Sequence, residues 1–299
     1  MEAKDSAFIS GFIAIVGPPN VGKSTLLNRI VGEKVAIVSP KPQTTRNRIL
    51  GISNGPGHQM VFIDTPGIHR SYSPLHKSMV ASARAVFFEV DIVAFMVDML
   101  RPMDPQLSLS LNHLKESGKP SLLIANKIDA VPKENILPII DHYAKKHSFR
   151  ALLPISALTG DGIQTLLGEL RKWLKPGPQF FPVQMKTDLS ETFLAAEIIR
   201  EKIYQLLQRE LPYATAVTVE RIQEIPHKNL ISITATLHVE SESQKGILIG
   251  KGGHMIKAVG RKSRLDLERI FGIPVFLDLM VRVEKKWSRN PKALERLGY

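Results

Sequence analysis

The chain has 299 residues, a formal net charge of +12 and no cysteine. That length accommodates two domains, and the missing thiols exclude disulfides and thiolate metal centres. The basic excess favours a polyanionic partner, either nucleic acid or an anionic membrane surface.

The chain begins with an apolar stretch, "FISGFIAIVG", that follows Glu2 and Asp5 and runs directly into a glycine loop. That context predicts a buried strand rather than a signal peptide. Further uninterrupted apolar runs follow at 60–65, 92–98, 120–126 and 151–156. Such runs are what strands covered on both faces of a parallel sheet require. Residues 46–55 are less apolar and suit an edge strand. Helical patterns such as "KSTLLNRIVG" and "DGIQTLLGELRKWL" alternate with them, which predicts a doubly wound, mostly parallel α/β domain over residues 1–174. The longest apolar run, 85–100, contains Glu89, Asp91 and Asp98 and does not read as a membrane span.

"KPGPQFFP" (175–182) ends the preceding helix and reads as a linker. Residues 183–299 then read as a second, α+β domain. An amphipathic helix is expected over 189–211, two alternating strands over 214–225 and 230–240, a short helix, a glycine–lysine loop, a longer helix and a last strand, in the order αββααβ. Residues 243–299 carry net +8, against +6 for 1–174 and −3 for 183–242. The terminal "EKKWSRNPKALERLGY" reads either as a basic tail over nucleic acid or as a solvated terminus. His142 and His147 have H-x4-H spacing, but five residues is about 140° around a helix, so they are not expected to share an ion. Trp287 is expected in a core or an interface.

The most informative motif is Gly17-Pro-Pro-Asn-Val-Gly22-Lys23-Ser24, which matches G-x-x-x-x-G-K-[ST] between a strand and a helix. Glycines let backbone N–H groups turn inward around phosphates, and the helix N-terminus adds partial positive charge. Gly17, Asn20, Val21, Gly22, Lys23, Ser24 and Thr25 form the candidate triphosphate set. Lys23 would reach the β- and γ-phosphates and Ser24 would ligate Mg²⁺. "DTPG" (64–67) ends a later strand; Asp64 would hold Mg²⁺ through water, and the Gly67 N–H would meet the γ-phosphate. In "PKPQTTRNR", Thr45 is the candidate ligand of Mg²⁺ and γ-phosphate, with Thr44 beside it as the alternative. "NKID" (126–129) selects the base. A carboxylate at Asp129 can accept from both N1–H and the 2-amino group of guanine, a donor pair that adenine lacks. Asn126 would tie the loop back, the Lys127 stem would lie along the base, and Ser156 and Ala157 would bring backbone N–H groups near guanine O6.

These elements in this order resemble the translation-factor-related GTPases over about residues 10–174. The resemblance implies GTP and GDP as ligands, Mg²⁺ as cofactor, GTP hydrolysis as reaction, and switching of segments near 39–50 and 67–80. Ile68 stands where a water-orienting glutamine is found in other members. No side chain is therefore assigned as catalytic base, with Lys23, Thr45 and Gly67 left to stabilise the γ-phosphate. Slow intrinsic turnover is expected, raised by a partner or a bound ion. In some relatives an asparagine at the position of Asn20 helps hold K⁺ near the phosphates.

The second glycine loop, "GKGG" (250–253), lies between helices, and its lysine is not followed by Ser or Thr. With the αββααβ order it resembles a type II KH domain. There Gly250, Lys251, Gly252 and Gly253 would grip the sugar-phosphate of about four nucleotides, with Lys257, Arg261, Lys262 and Arg264 adding salt-dependent attraction. His254 reads either as an RNA contact or as a surface residue at a helix start. One GTPase domain, a linker and a KH domain within about 300 residues resemble the Era-like GTPase family. This implies a monomeric cytoplasmic protein, with some peripheral inner-membrane association, that binds the 3′ region of 16S-type rRNA in assembly of the small ribosomal subunit.

Overall fold

Residues 7–42, 44–67, 74–208 and 210–299 are described in the structure, a computed structural model. Ile68, and with it residues 68–73 of the second expected switch segment, lie outside them. Contacts divide the chain into two units. The first ends at Asp188, and the second holds Leu189–Tyr299 together with short earlier segments, Ile37–Thr44 among them.

The first unit opens with β1 (Ile9–Val16), α1 (Lys23–Val31), β2 (Ile49–Gly55) and β3 (His58–Asp64). It continues through α2 (Pro74–Glu89), β4 (Ile92–Asp98), α3 (Gln106–Ser117), β5 (Ser121–Asn126), α4 (Ile136–Ala144), β6 (Ala151–Ile155) and α5 (Ile163–Arg171). The strand order is β2-β3-β1-β4-β5-β6, parallel except for β2, which pairs antiparallel with β3 at the edge. The apolar runs explain this arrangement. Ile13 to Val16 and Ile92 to Val97 are fully buried, as strands with helices on both faces must be. From β1 the chain moves out to β2 at the edge, returns through β3 beside β1, and then crosses to β4 on the other side. Crevices for ligands form at the carboxyl ends of strands where order reverses in this way.

The stretch expected as a linker is laid along the first unit instead. Lys175–Pro176 form a two-residue strand, β7, antiparallel to the start of β1. The buried Gln59 side chain then clamps the segment beyond it: its Oε1 accepts from the Phe180 and Phe181 amides, and its Nε2 donates to the Phe181 carbonyl. Further on, the Ile52 amide donates to the Lys186 carbonyl at 2.8 Å. Proline and glycine end the helix here, but a buried carboxamide in β3 supplies backbone partners that composition does not reveal.

The second unit has the expected αββααβ order. α6 (Glu191–Leu206), capped by Ser190, leads to β8 (Ala216–Ile225) and β9 (Leu230–Val239). Then come α7 (Glu242–Ile249), α8 (His254–Phe271), β10 (Val275–Val283) and a last helix α9 (Pro291–Arg296). The sheet order is β10-β9-β8, with β10 parallel and β8 antiparallel to β9. Val259, Ser263 and Leu267 make a four-residue-spaced buried stripe on α8. In the same unit Ile37 is buried in a cluster with Ile198, Ile233 and Leu267, and the Val38 amide donates to Glu201 Oε1 at 2.9 Å.

The C-terminal stretch is folded onto the second unit rather than left as a solvated terminus. Trp287 has no exposed surface and its Nε1 donates to the Ala214 carbonyl at 3.0 Å, while Ala293, Leu294 and Leu297 are buried beside it. A few apolar residues among many cations suffice to fold the segment into a cap. Trp287→Ala is expected to lower the stability of the second unit by about 3–5 kcal/mol. Chemical denaturation followed by far-UV circular dichroism would measure it.

Candidate functional site

The loop between β1 and α1 is shaped by close approaches that exclude side chains. A Cβ on Gly17 would stand 2.5 Å from the Met96 carbonyl oxygen. Gly22 has φ 106°, and a Cβ there would stand 2.4 Å from Asn126 Nδ2. Lys23 opens α1 and is buried; its Nζ donates to the carbonyls of Gly17 and Pro18, each at 3.0 Å. Burial lowers its pKa to about 8 against the opposing pull of Asp64. Asn20 is exposed with φ 62°, Val21 is buried, and Thr25 sits half-buried in the first turn of α1.

Three separate segments meet at Ser24. Its hydroxyl donates to Asp64 Oδ2 at 2.5 Å and lies 2.9 Å from Thr45 Oγ1. Thr44 turns elsewhere and closes a local turn by donating to the Lys41 carbonyl at 2.7 Å. Asp64 is fully buried, and its Oδ1 has no hydrogen-bond partner among the described residues. Burial raises its pKa to about 6, opposed by Lys23 and by the hydroxyls of Ser24 and Thr45. Two hydroxyls and an under-partnered carboxylate form a hard, all-oxygen donor set that suits Mg²⁺. Gly67 passes the loop so closely that a Cβ would lie 2.7 Å from Pro19 N. Among the described residues no group of three or more His, Cys, Asp and Glu is placed to hold a metal. His147 instead meets Ser121 Oγ at 3.0 Å.

The base-binding side is built on Asn126, the last residue of β5. Its Nδ2 donates to the Val21 carbonyl at 2.7 Å, and its Oδ1 accepts from the Ala157 amide at 2.9 Å. The Ala157 N–H, expected near guanine O6, donates to Asn126 in this structure. Ser156 is buried, and its Oγ accepts from the Thr159 amide. Lys127 adopts φ 71° and its Nζ meets Asp98 Oδ2 at 2.5 Å, while Asp129 is exposed at the mouth. Two further residues belong to the site although the sequence motifs do not include them. Asp98 ends β4 in register with Asn126, a signal visible as a polar residue closing an apolar run. Arg29, which donates to the Ala157 and Leu158 carbonyls, left no signal in the pattern.

In the second unit, α7 ends at Gly250, which has φ 74° and packs so tightly that a Cβ would fall 2.7 Å from His254 Nδ1. Lys251, Gly252 and His254 are exposed, and Gly253 is half-buried. Beside this loop a groove of about 520 Å³ runs between α8 and β10, lined by Ile256, Lys257, Gly260, Arg261, Phe276 and Leu279. It combines an apolar floor with cationic walls. Arg264 also lines it, but faces Glu268 at 3.6 Å.

A family model described as a 50S ribosome-binding GTPase matches residues 12–127, and a KH domain model matches 210–288. GTPase Era of Syntrophus aciditrophicus is 53% identical over 98% of this chain and 95% of that protein. GTPase Era of Geobacter metallireducens is 49% identical over 99% of each. Among solved structures, a single-residue variant of Aquifex aeolicus Era bound to GDP·AlF4⁻ superposes with TM-score 0.93 at 41% identity, covering 97% of this chain and 99% of that one. Era in complex with MgGDPNP and nucleotides 1506–1542 of 16S ribosomal RNA gives TM-score 0.94 at 41% identity, covering 98% and 99%.

The buried Asp64 carboxylate makes a sign-specific prediction. Its folded pKa lies above its unfolded value, so its neutral form favours the folded state, and that contribution is lost as pH rises through about 6. Asp64→Asn should therefore raise the melting temperature of the nucleotide-free protein at pH 7, with the difference shrinking towards pH 4. The same change should abolish Mg²⁺-dependent nucleotide binding. Differential scanning calorimetry and nucleotide titration would read the two effects.

Proposed function

The chain belongs to the Era GTPase family, and on that footing we propose that it is a nucleotide-controlled switch that binds the 3′ region of small-subunit ribosomal RNA and serves small-subunit assembly. Its enzymatic reaction is hydrolysis of GTP to GDP and phosphate. The observation that carries the nucleotide half is Asn126, which joins the phosphate loop to the base-recognition loops through one side chain. The related structure with MgGDPNP and a 16S rRNA fragment supports both ligands.

In this reading the Gly17–Ser24 loop surrounds the triphosphate. Lys23 gives up its carbonyl partners for the β- and γ-phosphates, where a dense negative charge offsets the penalty of its burial. Ser24 and Thr45, with Asp64 through water, would hold Mg²⁺, which would supply charge neutralisation to the phosphates. The Gly67 amide and Thr45 complete the γ-phosphate contacts. Asp129 accepts from guanine, and Lys127, steered by Asp98, lies over the ring. With no base assigned among these side chains, intrinsic turnover is slow and an activator sets the rate. Asn20, at the loop's exposed turn, would help hold K⁺. In the second unit the GKGG amides and Lys251 grip a single strand whose bases enter the α8–β10 groove. The domain partition that fits this division of labour is a GTPase part that keeps the stretch up to Asp188 and a KH part from Leu189, later than the 174 and 183 expected from composition, in a monomer.

No helix among the described residues is long and apolar enough to cross a membrane. A cytoplasmic protein with peripheral contact to the inner membrane is the localisation this reading carries.

Three outcomes test it. Lys251→Asp should weaken binding of a labelled 16S rRNA 3′ fragment while sparing GTP affinity; unchanged RNA binding would sink the GKGG assignment. Asp129→Asn should weaken GTP binding about ten-fold or more, since a hydrogen bond to a charged group is worth about 1.5–3 kcal/mol, and should leave RNA binding by the nucleotide-free protein intact. GTP hydrolysis should run faster in K⁺ than in Na⁺, and Asn20→Ala should remove the difference; equal wild-type rates in the two salts would remove K⁺ from the account.

A further inference from the structure

The loop that follows β6 spends nearly all of its own amides. The Ser156 amide donates to the Asp161 carbonyl at 3.0 Å and the Gly160 amide to the Ser156 carbonyl at 2.8 Å. The Thr159 amide donates to Ser156 Oγ at 3.1 Å and the Asp161 amide to Thr159 Oγ1 at 3.3 Å. The Ala157 amide is held by Asn126. From Ser156 to Asp161 the one amide without a partner among the described residues is that of Leu158, whose side chain is also exposed.

Two carbonyls of the same turn face α1. Arg29, in the last turn of that helix, spreads its guanidinium across them: Nε donates to the Ala157 carbonyl at 3.4 Å and Nη2 donates to the Leu158 carbonyl. Among the described residues neither carbonyl has another partner. A guanidinium is a planar fork with donors at fixed angles, so it sets the direction of the acceptors it holds. The Ala157 carbonyl and the Leu158 N–H belong to one peptide group, which is planar and trans. In such a group the two bonds point in opposite directions. A carbonyl held towards α1 therefore fixes the Leu158 N–H facing away from α1. Arg29 is itself exposed, so substituting it opens no cavity in the core.

We propose that Arg29 is a positioning residue that sets base specificity: by holding the Ala157 carbonyl it aims the Leu158 N–H at the 6-position of the bound purine. This rests on the guanine-nucleotide reading above and deepens it. Guanine carries an acceptor at that position, O6, and adenine carries a donor, the 6-amino group. An N–H held in place bonds the first and is left unpaired against the second, so the loop rejects adenine from an edge that Asp129 does not read. Asp129 reads N1–H and the 2-amino group, which makes the two contributions separable. Arg29 acts through the loop and not on the phosphates, so it governs how the base binds rather than the chemical step.

The test uses the full chain as wild type, Arg29→Met, Arg29→Lys and Asp129→Asn, titrated with GDP, IDP and 6-thio-GDP in Mg²⁺. IDP keeps O6 and lacks the 2-amino group, whereas 6-thio-GDP keeps the 2-amino group and carries sulfur, a weaker acceptor, at the 6-position. Arg29→Met should weaken GDP and IDP by one common factor, about three- to ten-fold, the worth of one neutral hydrogen bond, and weaken 6-thio-GDP by less. The preference for GDP over 6-thio-GDP then falls while the preference over IDP stays. KM for GTP should rise with kcat retained, and Arg29→Lys, whose ammonium can still hold a carbonyl, should recover most of the preference. Asp129→Asn should do the reverse and lose the preference over IDP. Equal loss for all three nucleotides, or an unchanged preference over 6-thio-GDP, overturns the Arg29 proposal while the Asp129 result still upholds the base site. A fall in the preference over IDP on Arg29→Met moves its effect to the Asp129 edge and overturns the proposal as well. Absence of GDP binding by the wild type overturns both this proposal and the reading beneath it.

Discussion

The nucleotide site depends on one side chain with no charge. Asn126 donates to Val21 in the phosphate loop and accepts from Ala157 in the loop after β6. Its amide also fills the space that a Cβ on Gly22 would need. Three loops from distant parts of the sequence are thereby held in one register. Both halves of a carboxamide are used, one as donor and one as acceptor, so neither aspartate nor leucine could replace it: the first has no donor and the second leaves two buried backbone groups unpaired.

Against that neutral joint stands an uncomfortable pair of charges. Lys23 and Asp64 are both buried, and burial moves their pKa values towards each other, down to about 8 and up to about 6. Their mutual attraction opposes the shift without cancelling it. A site of this kind is less stable by itself than with a triphosphate and a dication, because each ligand charge compensates one of the buried groups. Binding specificity for a charged nucleotide and marginal stability of the free site are therefore the same physical fact.

Much of this was legible in the sequence, for identifiable reasons. Strands buried on both faces must be continuously apolar, so the parallel sheet could be read from the apolar runs alone, and the motif spacing located Lys23, Ser24 and Asp64. The features that could not be read depend on distant partners. Which of Thr44 and Thr45 meets Ser24 depends on where Ser24 and Lys41 happen to lie. The stretch 175–182 looks like a linker until the Gln59 carboxamide is seen holding it. The last sixteen residues look solvated because five cations are interspersed among their apolar residues. Trp287, Ala293, Leu294 and Leu297 nevertheless decide the fold, since burial is a property of a few side chains and not of an average.

The two glycine loops show how similar residues give different chemistry. In the first, the backbone is walled in: side chains on Gly17, Gly22 or Gly67 would collide with Met96, Asn126 or Pro19. A cradle closed on several sides suits a compact ligand that ends in phosphates. In the second, a Cβ on Gly252 would meet nothing within 4 Å, and only Gly250 is tightly packed. An open ridge beside a groove suits a polymer that must pass across and continue. Glycine supplies close backbone approach in both loops, and the surrounding walls determine whether the phosphate belongs to a nucleotide or to a strand.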